Sequence, residues 1–454
     1  MEKNKKIKKS KNQRLEIQKV LISKVLRFKP LLKKPSFWIL LLIFAFELFL
    51  RTYQINIKFP FGYDQVDNAW AAKNIVFNHW FPLVGMVAKE NSGVYIGPAY
   101  YYFISLFYWL FNLNPAASQV ISIVSALFTF FTLYYVVKKL FSTEMAIIAV
   151  AINTFNFHTI VFDGIQWPVQ ILPAVSLIIF YLLYKVLLGE VKKIIPLAIM
   201  VGIAFNLHFT AIFFPIIIIL SLPLFPRTKE TLKYIVFGLP FFIIWLIPNI
   251  IYSVTNMTAN STATSYFSTY FHGFHLVRMR QIMGDALIQF NPYLLNDRIS
   301  SFKLILLPFF FVVYLYKSFN SESKKFLYLV FLWFMVPWII FTTYSGEISD
   351  YYFIINRFIV LIILSYFIFR VWNFKYLFAK GLVVITLIVY CYIGVTTYLP
   401  YKDEGNFAKR EKTAMLAVEQ GRRIQFQVGV PESYIYWYYM WSLKGVDVYA
   451  PGAK

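Results

Sequence analysis

Two aspartates three residues apart are the first residues in this chain whose types and spacing could do acid–base chemistry. They lie in FGYDQVDNAWAAKNIVFNHW, where Asp64 and Asp67 share one face if the segment is helical. Such a pair can take a proton from a hydroxyl or help to hold a cation. Helix capping is the plain alternative, since Asp in a first turn stabilises a helix by about 1 kcal/mol. A second cluster is GEISDYYFIINRF, with Glu347, Asp350, Tyr351, Tyr352 and Arg357. A guanidinium matches phosphate oxygens in a two-pronged fork, so Arg357 is a candidate phosphate ligand. Pairing with Asp350, or snorkelling to an interface, is the competing explanation. A third group, His272, His275, Arg278, Arg280 and Arg298, could receive an anion or simply be solvated. Neither HExxH nor a phosphate loop nor a dinucleotide fingerprint occurs. Cys391 is the only cysteine, which excludes a disulfide within the chain and a cysteine-based metal site.

The elements that must position these residues are membrane helices. The 454 residues are 59% hydrophobic and only 14% charged, too few charges for a soluble surface of that size. Apolar runs near the ~20 residues needed to cross a bilayer recur along the chain. The formal charge is +23, with thirteen Lys or Arg against Glu2 and Glu16 in residues 1–34. That basic arm runs straight into an apolar segment, so it reads as a cytoplasmic anchor on anionic lipid and not as a nucleic-acid arm.

Orienting the apolar runs by their Lys and Arg gives about eleven crossings. They fall near 37–50, 119–137, 145–162, 168–188, 194–206, 209–224, 234–252, 302–316, 326–343, 353–369 and 381–398. The stretch 97–113, GPAYYYFISLFYWLFNL, has the length for a twelfth. Its Tyr and Trp content suits a helix lying in the interface, and counting it as a crossing would invert every later basic loop. In this frame Asp64, Asp67, Asp163, Glu347 and Asp350 all fall outside. Three regions follow: a basic arm over 1–34, a membrane domain over 35–399 with a first outer loop at 51–118, and a small outer tail over 400–454. The tail's pattern predicts helices at 407–419 and 433–443 and strands at 424–430 and 446–449.

Four motifs, in this order and spacing, resemble the polytopic glycosyltransferases of the GT-C fold, above all bacterial relatives of protein O-mannosyltransferases and of the lipid A aminoarabinose transferase. They are GYDQVDNAWAAKNI after the first span, GPAYYYFISLFYWLFNLNP, VVKKLFSTEMA closing the second span, and QWPVQILP opening the fourth. The likeness covers about 63–224 and weakens towards 369. It implies an all-α polytopic enzyme of the cell membrane that takes a sugar from a polyprenyl-phosphate carrier on the outer face and passes it, with inversion, to a protein, lipid or glycan acceptor. No nucleotide-sugar site is then required.

The resemblance places the catalytic base at Asp64, with Asp67 assisting by position or by holding a divalent cation. Arg357 and Lys89, backed by Arg278 and Arg280, would stabilise the departing phosphate. Tyr63, Tyr100, Tyr101, Asp350 and Tyr351 are the expected substrate contacts. One departure bears on metal: relatives often carry Glu or His where this chain has Ile96. The rival from another class is a transporter or flippase, which would place ionisable groups in mid-membrane and show inverted repeats.

Overall fold

The computed structural model describes residues 34–271, 273–274, 276–288, 321–426 and 429–449. The arm 1–33, His272, His275, Arg298 and the expected span 302–316 lie outside these residues. The described chain is helical, with isolated β-bridges and no extended sheet. Six of its helices are long and apolar enough to cross a membrane, or eight if each bent pair counts as one crossing.

The first span is α1, Pro35–Thr52. After it, α2 (Tyr63–Val76) and α3 (Ala99–Leu110) form a shelf. Next come α4 (Ala117–Leu140) and a bent pair, α5 (Thr143–Phe155) and α6 (Phe157–Gly164). The 70° bend falls at Asn156, which is extended and caps α6 through a side-chain oxygen that accepts from Thr159 N at 2.8 Å. Gly394 is needed opposite that bend, because a Cβ there would lie 1.7 Å from the Phe155 carbonyl oxygen. α7 (Leu172–Leu187), α8 (Ile194–Phe205) and α9 (Phe213–Ser221) follow. A second bent pair joins α10 (Lys229–Ile243) to α11 (Ile247–Thr255) at 55°. Pro248 stands in the first turn of α11, where its missing N–H costs nothing.

α12 (Met257–Tyr270) and α13 (Leu276–Ile288) occupy the expected long outer loop. α14 (Ser321–Phe341), α15 (Arg357–Trp372) and α16 (Leu377–Tyr398) complete the bundle. The tail holds α17 (Phe407–Glu419) and α18 (Pro431–Lys444).

Loops that the charge pattern assigns to one face do meet at one end of the bundle. Gln65 Nε2 donates to the Gln166 carbonyl at 2.9 Å, and Lys89 Nζ to that of Glu347 at 3.1 Å. Lys58 Nζ donates to the carbonyls of Tyr398, Leu399 and Tyr401 at 2.7, 2.8 and 2.7 Å. A lysine on the bare carbonyls of a helix C-terminus also suits its dipole. Both ends of α3 belong to this same end. Ala99 N donates to Asn206 at 3.1 Å, and the Leu113 carbonyl accepts from Tyr434 OH of the tail at 2.9 Å. α3 therefore returns to the face it started from.

The tail departs from expectation in one respect. Its two helices form, but Ile424–Phe426 and Val446–Tyr449 are not strands among the described residues. Side-chain bonds replace the ladder: Arg423 donates to the Val448 carbonyl at 3.1 Å, and Tyr449 OH to that of Ile424 at 2.6 Å. The tail packs on the first outer loop, where Phe407 N bonds to the Phe59 carbonyl at 2.9 Å and Phe61 N to that of Gly405 at 3.0 Å.

Candidate active site at one end of the bundle

α2 starts where its sequence says it should. Gly62 precedes it in extended conformation, and the Gln65 side chain turns back to accept from Gly62 N at 2.8 Å. Val66, Ala69 and Ala72 are fully buried beneath it. This leaves Asp64 and Asp67 half-buried on the other face, one turn apart. Burial, with the Asp67 charge adding to it, pushes the Asp64 carboxyl up to about 6. Burial also raises Asp67, while the hydroxyl of Tyr101, which donates to Asp67 Oδ2, pulls it back. Asp64 carries no hydrogen bond to another described residue. One acid is thus fixed by a phenol, and the other stands ready near neutral pH to exchange a proton.

α3 is set against α2 by the Gly97–Pro98 step. A Cβ on Gly97 would coincide with the Asn206 side chain, at 1.9 Å from Oδ1, so glycine is what lets Asn206 reach Ala99 N. Beneath, Gln166 Nε2 donates to Tyr100 OH at 2.8 Å. The segment bearing Gln166 also bears Asp163, so one loop touches the acid-bearing shelf and the interior of the bundle.

In that interior Arg357 NH1 donates to Asp163 Oδ1 at 2.9 Å, and NH2 to Oδ2 at 3.3 Å and Asn153 at 3.2 Å. Arg51 adds a third bond to Asp163, at 3.1 Å, and an ion pair with Glu47 at 3.3 Å. Two guanidiniums thus face the carboxyl groups of Asp163 and Glu47. Asp163 is 1% exposed and Arg357 3%. Asp163 and Asn153 are thus buried partners of Arg357.

The other expected residues fall into separate places. Lys89 borders an apolar cavity of about 340 Å³ lined by Tyr95, Phe205, Phe213, Phe267 and Tyr344. Arg278 donates to the carbonyls of Tyr344, at 3.1 Å, and Gly346, and so holds the loop beside that cavity. Arg280 is exposed. Tyr351 packs edge-on to Trp167, with ring centroids 5.0 Å apart. Asp350 opens the 3-10 turn Asp350–Asn356 that leads into α15. Tyr63 is exposed, whereas Tyr100 is buried in its bond with Gln166. Asp67 and Tyr101 border a second cavity, polar and about 410 Å³, against the tail. The segment 84–96 contributes to both cavities.

Several residues here were not singled out by sequence reasoning. Glu47 and Arg51 sit four apart in an apolar helix, a spacing that signals a pair. Gln166, Trp70, Lys73 and Asp447 gave no local signal, because each acts through partners far along the chain.

A resident divalent cation does not fit this arrangement. Among the described residues no group of three or more His, Cys, Asp or Glu could hold a metal ion. Asp67 is already engaged by Tyr101, and buried Ile96 stands at the position where a third ligand would be sought.

Residues 96–252 match the family model described as dolichyl-phosphate-mannose-protein mannosyltransferase. No curated protein sequence matches the chain. Among solved structures, ArnT from Cupriavidus metallidurans bound to undecaprenyl phosphate is similar at TM-score 0.51 and 10% identity, over 89% of this chain and 75% of that one. The apo oligosaccharyltransferase of Archaeoglobus fulgidus is similar at TM-score 0.52 and 12% identity, over 86% of this chain and 58% of that one. With its helical shelf, its bent spans and these likenesses, the chain is a polytopic membrane protein of the GT-C fold.

Proposed function

We propose that the protein is a glycosyltransferase that moves a sugar from a polyprenyl-phosphate carrier to an acceptor hydroxyl on the outer face of the membrane, with inversion. One observation carries this reading most: an acid raised to about 6 and an apolar cavity bordered by a lysine sit at the same end of a GT-C bundle. The undecaprenyl phosphate bound by the ArnT relative is a ligand of the kind that such a cavity suits.

The acceptor hydroxyl attacks the anomeric carbon while its proton passes to Asp64. The bond from that carbon to the phosphate oxygen breaks, and the polyprenyl phosphate leaves with the electron pair. A single displacement of this kind inverts the anomeric centre. Lys89 neutralises the leaving phosphate, and Arg278 and Arg280 support it from α13. The guanidinium of Arg357 is committed to Asp163, so its part is to fix the start of α15. Asp67, held by Tyr101, keeps Asp64 raised and oriented.

The test is direct. Purified protein in liposomes is given synthetic polyprenyl-phosphate sugars, and free polyprenyl phosphate is measured. Release above that of protein-free liposomes supports the reading, and its absence with every sugar offered contradicts it.

A further inference from the structure

The polar cavity of about 410 Å³ lies between α2, the segment after it, and the tail. We infer that this cavity is an acceptor subsite for a neutral saccharide, with one wall supplied by the C-terminal tail. The inference rests on the function proposed above and names the acceptor class.

Its position comes first. Asp67 borders the cavity at one end, so a hydroxyl bound there lies one helical turn from Asp64. From that end the floor follows one face of α2 through Trp70, Ala71 and Asn74, then reaches Asn78 just past the helix. These steps of three and four residues keep the side chains in one row.

The chemistry of the lining comes second. Its lysine, Lys73, is paired with Asp447 at 3.3 Å and lies over the Trp437 ring at 5.0 Å. Among the lining residues no other cation is present, and Asp67 adds a carboxylate. An anionic acceptor is therefore disfavoured. Asn78 Nδ2 donates to Asn74 Oδ1 at 2.9 Å, which leaves the Asn74 amide NH2 and the Asn78 amide oxygen to serve a ligand.

Shape comes third. Trp80 and Phe426 border the cavity with 58% and 52% of their surface open. Flat apolar faces beside amides and a carboxylate match a sugar ring, which has C–H faces and a hydroxyl edge. An extended peptide would want a free strand edge to bond its backbone, and this lining is made of side chains from a helix and loops.

The tail shapes this wall through Trp70. Phe426 and Tyr434 pack edge-on to its ring at 5.1 Å each, and Tyr449 at 5.8 Å. Trp437 Nε1 donates to Asp447 at 2.8 Å and so fixes the partner of Lys73.

The full-length protein in nanodiscs, free of sugar-based detergent, is titrated calorimetrically with mannobiose, cellobiose and chitobiose. A serine-containing hexapeptide and glucose 6-phosphate are run alongside. At least one disaccharide is expected to bind, and Trp80→Ala and Asn74→Ala should each weaken it about tenfold. Trp80 is exposed, so an unchanged thermal midpoint in Trp80→Ala separates lost binding from misfolding. Binding of no disaccharide, or of the peptide or phosphosugar in their place, overturns the inference, as does disaccharide affinity unmoved in both variants. Polyprenyl phosphate release from donor alone is measured in parallel, so failure of the donor reading and failure of the saccharide reading appear in different assays.

Discussion

Arg357 grips both carboxylate oxygens of Asp163, at 2.9 and 3.3 Å, across 194 positions of sequence. The contact joins the start of α15 to the end of α6, and through Arg51 it also reaches α1. A buried pair of this kind is weak evidence for net stability, but removing one partner strands a charge.

Asp163→Ala leaves two guanidiniums facing each other without their shared acceptor. It should destabilise the protein by about 3–5 kcal/mol. Thermal unfolding in detergent checks this. Arg357→Ala should cost less, because Arg51 still pairs with Asp163. Equal midpoints for wild type and Asp163→Ala would contradict the network.

A Cβ at position 394 would meet the Phe155 carbonyl, so Gly394→Ala must push α16 away from the bend in α5 and α6. Overpacking of this kind typically costs about 1–3 kcal/mol. The measurement is again the unfolding midpoint, with Gly381→Ala as the control, since a Cβ there meets nothing within 4 Å.

Single cysteines test the sidedness. With Cys391 replaced by serine, a cysteine at exposed Asn78 should react with an impermeant maleimide added to intact cells. One at exposed Asn373 should react only after permeabilisation. The opposite pattern would invert the topology and move the proposed site to the cytoplasm.

How much of this was legible in sequence depends on the range of the interaction. Apolar length is local, and the helices at 168–187, 377–398 and 407–419 sit where their patterns place them. The spread of lysines is a sum over many loops, and so the meeting of 63–67, 163–166 and 347 at one end could be anticipated. The partner of Arg357 could not. Asp350 lay close in sequence, while Asp163 becomes its neighbour only when α5 bends at Asn156 and returns beside α15. Among the described residues the expected tail strands are absent for a similar reason, with 427–428 lying outside them. Alternation in IQFQVGV is a genuine β signal, but Phe426 is drawn to Trp70 and the nearby backbone is satisfied by Arg423 and Tyr449. The polar cavity was invisible because it joins α2 and the segment after it to Phe426, Asp447 and Tyr449 of the distant tail.

Lys89 is the cation at the border of the apolar cavity, so Lys89→Ala should lower kcat/KM for a polyprenyl-phosphate sugar. A hydrogen bond to a charged group is worth about 1.5–3 kcal/mol, which corresponds to roughly 10- to 150-fold. Lys89→Arg should recover part of the loss. No change in either variant would remove Lys89 from the donor site.

The pH dependence follows from the raised Asp64. The base works when deprotonated, so turnover should rise with pH through about 6 and level off above it. Asp67 contributes negative charge that holds Asp64 up. Asp67→Asn removes that charge, Asp64 then loses its proton at lower pH, and the acid limb should move down. A limb that moves up, or none between pH 5 and 7, would contradict the pairing.

The most direct test of the central claim is single-turnover release of polyprenyl phosphate by Asp64→Asn against wild type, with donor binding measured in the same samples. The account predicts that Asn keeps donor binding and lowers the chemical rate by about 10²- to 10⁴-fold, as expected for loss of a general base. Equal rates in the two proteins would contradict it.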